Sequence, residues 1–87
     1  MQIHSLETFY WVTRLSSFRR AAEVLNISQP TVSSRIRGLE EELGVVLLHR
    51  DSGLTLTEQG QELLDYARKI LRLTEDLSFH QPATPVE

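Results

Sequence analysis

Between Ser17 and Gly44 the chain reads as two amphipathic helices joined by only three residues, Asn26-Ile27-Ser28. So short a joint leaves few ways to pack them. Asparagine accepts the left-handed backbone that ends a helix, Ile27 anchors the corner, and Ser28 caps the second helix. Pro30 falls in the first turn of that helix, where a missing N–H costs nothing. The earlier helix, over 18–25 with Ser17 as N-cap, turns Phe18, Ala21, Ala22 and Leu25 to one side. The paired alanines let another helix come close. The later helix, over 29–43, stops at Gly44, and its inward stripe Val32, Ile36, Leu39 and Leu43 is spaced 4, 3 and 4.

The flanks complete a small architecture. A first helix is expected over 5–15, capped by Ser5, with Leu6, Phe9, Val12 and Thr13 recurring at helical spacing. After Gly44, Val45-Val46-Leu47-Leu48 is apolar, Asp51-Ser52-Gly53 reads as a turn, and Leu54-Thr55-Leu56 alternates, which makes a hairpin. Thr57 then caps a fourth helix that continues to Leu77 or Ser78, about 30 Å long. Its Leu63, Ala67, Ile70, Thr74 and Leu77 are spaced 4, 3, 4 and 3, widened by Leu64 and Leu71. The half beyond about Ala67 extends past what a domain of this size covers, so it is expected to meet a second copy of the chain. Trp11 belongs either to the core or to that contact. Pro82 and Pro85 keep the end of the chain out of a helix, so it reads as linker.

Eighty-seven residues make one domain with a small core. The lack of cysteine excludes a disulfide framework and a zinc finger, and fits a reducing cytoplasm. No apolar run approaches the roughly 18 residues of a membrane span, and Met1-Gln2-Ile3-His4 is no signal peptide. His4, His49 and His80 lie on different elements without ligand spacing, so no metal or cofactor is expected. No nucleophile elbow or phosphate-cradling glycine loop is present, and an enzyme is not expected.

A net charge of −3 argues at first against a nucleic-acid partner. The average hides a gradient. From Arg14 to Arg37 there are five arginines (Arg14, Arg19, Arg20, Arg35, Arg37) against Glu23, and Glu40, Glu41 and Glu42 come next. With its apolar stripe turned in, the 29–43 helix shows Pro30, Thr31, Ser33, Ser34 and Arg37 outward, with Arg35 on a flank. Short hydroxyls let a helix lie deep in a major groove, where glutamine pairs with adenine and serine or threonine meets base edges. Flanking arginines clamp phosphates, and the free amides from Ser28 to Thr31 add an anion site. A helix–turn–helix reads DNA in this way, through the start of its second helix.

The segments Ser17-Phe18, Ala21-Ala22-Glu23-Val24-Leu25, Ser28-Gln29-Pro30-Thr31-Val32-Ser33, Ile36-Arg37, Leu39-Glu40, Leu43-Gly44-Val45 and Leu56-Thr57-Glu58-Gln59-Gly60 together resemble the N-terminal region of LysR-type transcriptional regulators. The resemblance covers roughly residues 3 to 75. It implies a mainly α fold, a winged helix–turn–helix over 1–57 followed by a linker and dimerisation helix over 58–78. It further implies a homodimer on a dyad-symmetric double-stranded site, with a higher oligomer open to the full-length protein. Residues matching Gln29, Pro30, Thr31, Ser33 and Ser34 would face bases or backbone, and those matching Arg35, Arg37 and Arg50 would lie near phosphates. Relatives carry a larger C-terminal domain that senses a small molecule, which makes 79–87 a flexible tail toward a domain absent here and the chain a truncated piece. Two departures stand out: the wing tip Asp51-Ser52-Gly53-Leu54 is short and acidic, and Ser34 stands where arginine is frequent. The major-groove helix is therefore expected to carry most of the specificity.

The expected function is sequence-specific DNA binding in bacterial transcription regulation, through Ser28, Gln29, Pro30, Thr31, Ser33, Ser34, Arg35, Arg37 and Arg50. Dimerisation is expected through Trp11, Ala67, Ile70, Leu71, Thr74 and Leu77. The alternative is a helical dimerisation or protein-interaction module on the same fold without DNA contact.

Overall fold

The computed structural model describes residues 1–51 and 53–77, the side chains of 74–77 excepted. The tail over 79–87, and the side chains of Thr74 and Leu77, lie outside the described residues. The chain forms α1 (Ile3–Leu15), α2 (Phe18–Leu25), α3 (Gln29–Leu43), β1 (Leu48–His49), β2 (Thr55–Leu56) and α4 (Glu58–Leu77). α1 is the hub, packing on α2, α3 and α4. Phe9, Val12, Ala21, Val32, Ile36, Leu39, Leu47 and Ala67 fill the space between them. No described helix is long and apolar enough to cross a membrane.

Local chemistry sets most boundaries. The Ser17 hydroxyl accepts from the Arg20 amide at 3.0 Å and the Ser28 hydroxyl from the Thr31 amide at 3.2 Å, so α2 and α3 both start on a serine cap. Helices α1, α2 and α3 end in left-handed residues, Ser16, Asn26 and Gly44, whose amides return to the last turn. The Thr57 hydroxyl accepts from the Gly60 amide at 2.9 Å and opens α4.

Three expectations need correction. α1 begins at Ile3, not Ser5: nothing between Gln2 and Ser5 breaks a helix, and the Gln2 carbonyl already accepts the Ser5 and Leu6 amides at 3.0 and 3.2 Å. Its buried positions are Leu6, Thr8, Phe9 and Val12, with Thr13 only half-buried. Leu43, the last residue of α3, is exposed rather than inward, because it lies past the cover of the other elements.

The hairpin is also shorter than its apolar run. Only Leu48↔Leu56 and His49↔Thr55 pair, antiparallel. The backbone just before Leu48 is engaged elsewhere. The Glu40 carboxylate accepts the Leu47 amide at 2.9 Å, and the Leu47 carbonyl accepts the Thr57 amide at 3.0 Å. The Thr57 hydroxyl also donates to the Val46 carbonyl at 2.6 Å. These bonds tie the end of α3, the wing and the start of α4 into one joint.

Candidate nucleic-acid interface

α3 lays its apolar stripe against α1 and α2 and leaves the opposite side open. Val32, Ile36 and Leu39 are buried, while Pro30, Ser34, Arg37 and Glu41, spaced 4, 3 and 4, form an exposed row. Thr31 and Arg35 lie on one flank of that row and Ser33 on the other, all half-buried. Gln29 is exposed at the start of the helix. The first twelve residues of the face, from Ser28 to Leu39, hold no carboxylate.

The sequence-selected residues divide by what already engages them. The Ser28 hydroxyl is committed to the helix cap and lies 2.8 Å from the Thr31 hydroxyl. That pair holds the first turn of α3 in shape; the Thr31 and Val32 amides are spent on the Ser28 hydroxyl and carbonyl and Pro30 has none, so the anion site expected from Ser28 to Thr31 is reduced to the Gln29 amide. Gln29, Ser33, Ser34 and Arg37 make no side-chain hydrogen bond or ion pair among the described residues, so their polar atoms are open to a ligand. Arg35 reaches sideways, its Nη1 donating to the Thr8 hydroxyl of α1 at 3.2 Å.

Arg50 follows β1 at the base of the wing. Its guanidinium stacks over the Phe18 ring at the start of α2, 4.9 Å from the centroid. This fastens the wing to the first turn of α2, where Arg20 is also exposed. The other arginines of the basic segment are differently occupied. Arg19 pairs with Glu23 at 3.0 Å. Arg14 donates to the Tyr10 hydroxyl at 2.9 Å and lies over the Tyr10 and Trp11 rings. The charge open to a phosphate is therefore carried by Arg20, Arg35, Arg37 and Arg50, fewer than the sequence count suggests.

Of the acids, Glu41 ends the exposed row of α3, and others are engaged or placed elsewhere. Glu40 bonds the Leu47 amide, and Glu42 pairs with the Met1 ammonium. Glu58, Glu62 and Asp65 line a shallow depression with Gln59 and Gln61 on α4.

The α4 surface corrects one expectation. Ala67 is 0% exposed within its own chain, packed in the core beside Leu63 and Leu64, so it is withdrawn from any contact with a second copy. The open apolar edge runs through Tyr66, Ile70 and Leu73, with Tyr66 57% and Leu73 65% exposed and Ile70 half-buried against the core. Sequence reasoning missed Tyr66 and Leu73, although their spacing of 4 and 3 around Ile70 was available. Leu71 is half-buried. Trp11 is half-buried at the core's edge, with the Tyr10 ring edge-on at 5.3 Å.

Residues 3–61 match the family model described as bacterial regulatory helix–turn–helix protein, lysR family. The chain is 40% identical over 80 residues to the HTH-type transcriptional regulator YtlI of Bacillus subtilis, covering 92% of this chain and 26% of that protein. It is 48% identical over 73 residues to the DNA-binding transcriptional dual regulator OxyR of Escherichia coli, covering 83% and 24%. The chain thus spans about a quarter of the length of the curated relatives it matches. Two solved structures superpose closely. The BenM DBD/catB site 1 DNA complex has a TM-score of 0.85 at 38% identity, covering 90% of this chain and 88% of that one. The CbnR DBD–DNA complex has a TM-score of 0.82 at 37% identity, covering 90% and 91%.

Proposed function

The chain belongs to the bacterial regulatory helix–turn–helix proteins of the LysR family, and on that premise we propose that it is the DNA-reading part of a transcriptional regulator, working as a dimer on a dyad-symmetric duplex site. Each α3 enters a major groove by its N-terminal end. Gln29, Pro30, Thr31, Ser33 and Ser34 meet base edges or the adjoining backbone. Arg35, Arg37 and Arg50 hold phosphates, and the Gln29 amide at the helix start is open to one. Residues 1–57 form the reading unit and 58–78 the connecting helix, with 79–87 leading toward an effector domain. The site of action is the bacterial cytoplasm.

One observation carries this reading: the exposed face of α3 is narrow, free of carboxylates up to Glu40, and its Gln29, Ser33, Ser34 and Arg37 side chains make no hydrogen bond or ion pair among the described residues. A purely solvated face needs neither property. A protein-docking face would be expected to present apolar side chains, and Val32, Ile36 and Leu39 of α3 are turned inward, with only Leu43 at its far end exposed. The pairing of two copies rests on the edge Tyr66, Ile70 and Leu73, with Leu71 beside it. Such a strip on a helix projecting beyond its own core is stabilised by a matching strip.

The test has two parts. Selection from a random duplex pool should return a repeated half-site in inverted orientation. Affinity for that site should then fall steeply with salt, and Arg37→Ala should flatten the slope by about one phosphate per subunit while weakening all sequences alike. A pool without enrichment, with affinity indifferent to salt, would overturn the reading.

A further inference from the structure

We propose that Thr8, a buried residue of α1 outside the helix–turn–helix, is a positioning residue for DNA binding: its hydroxyl sets the direction of the Arg35 guanidinium before DNA arrives. The inference rests on the DNA reading above and assigns a function to a residue that no surface argument would select.

Thr8 is 0% exposed and is the buried polar residue of the core among the described residues. Its hydroxyl has one proton, and that proton is spent on the His4 carbonyl one turn back, at 2.7 Å. Donating there fixes the hydroxyl rotor and leaves its lone pairs facing away from the α1 backbone. Arg35 Nη1 donates to that oxygen at 3.2 Å across 27 residues of sequence. A guanidinium carries five N–H donors in one rigid plane, so engaging one nitrogen on the protein side orients those that remain. Arg35 is half-buried on the flank of the exposed α3 row, and its contact with Thr8 engages Nη1 alone.

The effect of such an anchor is preorganisation. A free arginine samples many rotamers, and fixing it on binding costs affinity. Here the side chain is already held between α1 and α3. Arg37, which has no partner among the described residues, must be ordered by the phosphate itself. The two arginines of one helix are therefore unequal: Arg35 is aimed by the fold, whereas Arg37 adapts to the DNA.

Thr8→Val keeps the shape of the buried side chain and removes only the hydroxyl. It should weaken binding to the selected site about two- to tenfold per subunit, and so about four- to a hundredfold for a dimer. Thr8→Ser should restore most of the loss. In an Arg35→Ala background, Thr8→Val should add nothing, because the group it positions is gone. A second measurement avoids DNA altogether. Side-chain nitrogen NMR of the free protein should show restricted Arg35 guanidinium rotation in the wild type and Thr8→Ser, and averaged signals in Thr8→Val. This readout survives a loss of stability in the valine variant, because any folded fraction reports it. Wild-type DNA affinity and restricted Arg35 signals in Thr8→Val would overturn the proposal, as would an equal loss of affinity with and without Arg35. The DNA reading itself fails separately, if the wild-type protein selects no site.

Discussion

Gly60 and Gly38 both sit in helices, yet alanine should act on them with opposite sign. A Cβ at Gly60 would lie 2.2 Å from the Leu47 carbonyl oxygen, 3.1 Å from its carbon and 3.0 Å from Leu56 Cδ2. Ordinary C···O contacts begin at about 3.3 Å, so the first turn of α4 and the wing must separate by about 1 Å. The carbonyl cannot retreat freely, because it accepts the Thr57 amide at 3.0 Å. Overpacking of this kind costs about 1–3 kcal/mol, and loss of the Leu47–Thr57 bond would cost about 1 kcal/mol more. Alanine's higher helix propensity returns at most about 1 kcal/mol. Gly60→Ala should thus destabilise the fold by about 1–3 kcal/mol net, a fall of roughly 5–20 °C in melting midpoint for a domain of this size. Gly38 has nothing within 4 Å of the same construction, so only propensity acts there, and Gly38→Ala should stabilise by about 0.5–1 kcal/mol. Circular dichroism melts at a single protein concentration make the comparison, since the proposed dimerisation would shift stability with concentration. A stability gain at both glycines would refute the close-approach argument.

Gln29→Ala should cost about 1–3 kcal/mol on the selected site and little on unrelated duplex, read by fluorescence anisotropy on both; equal losses would move Gln29 from base reading to backbone contact. Tyr66→Asp with Leu73→Asp should turn the dimer into a folded monomer in sedimentation, whereas Ala67→Asp should unfold the domain, because Ala67 is enclosed by its own core. A dimer persisting in the double variant would place the contact elsewhere. Phe18→Leu removes the ring beneath Arg50, an interaction of about 0.5–1 kcal/mol, and should weaken binding to all duplexes about two- to fivefold. In an Arg50→Ala background it should have no further effect on affinity.

What the sequence made legible depends on the range of the physics. The caps at Ser17, Ser28, Gly44 and Thr57 were readable because a cap is settled by side-chain chemistry within a few residues. The inward phase of α3 was readable through Leu39 because a single stripe dominates it. Helix α4 carries two overlapping stripes, one through Leu63, Leu64 and Ala67 and one through Tyr66, Ile70 and Leu73, and only the position of α1 decides which becomes core. The hairpin's length was hidden because Val45, Val46 and Leu47 have strand composition, while Glu40 and Thr57 engage the backbone of Val46 and Leu47. Thr8 was invisible as a site for the same reason: its partner lies 27 residues away.

The DNA binding proposed for this acidic domain is less of a contradiction once distance is counted along α3. Glu40, Glu41 and Glu42 occupy the C-terminal end of the helix, where its dipole disfavours them. Glu40 and Glu42 are offset by tertiary partners, the Leu47 amide and the Met1 ammonium. From Gln29 to Glu40 the axis rises by about 16 Å at about 1.5 Å per residue, whereas exposed charges are screened over about 8 Å in physiological salt. A phosphate at the N-terminal end therefore meets the Gln29 amide and the positive pole of the dipole and hardly senses the glutamates, whereas one held by Arg37 lies a single turn, about 6 Å, from Glu41. A phosphate reaching the other end meets carboxylates and the negative pole. Both fields have the same sense along the helix, so α3 is polarised to enter a groove by Gln29 and to keep Glu41 outside it. Moving a basic residue to position 41 would weaken that orientation more than it would raise affinity, because the gain falls at the end that reads no bases.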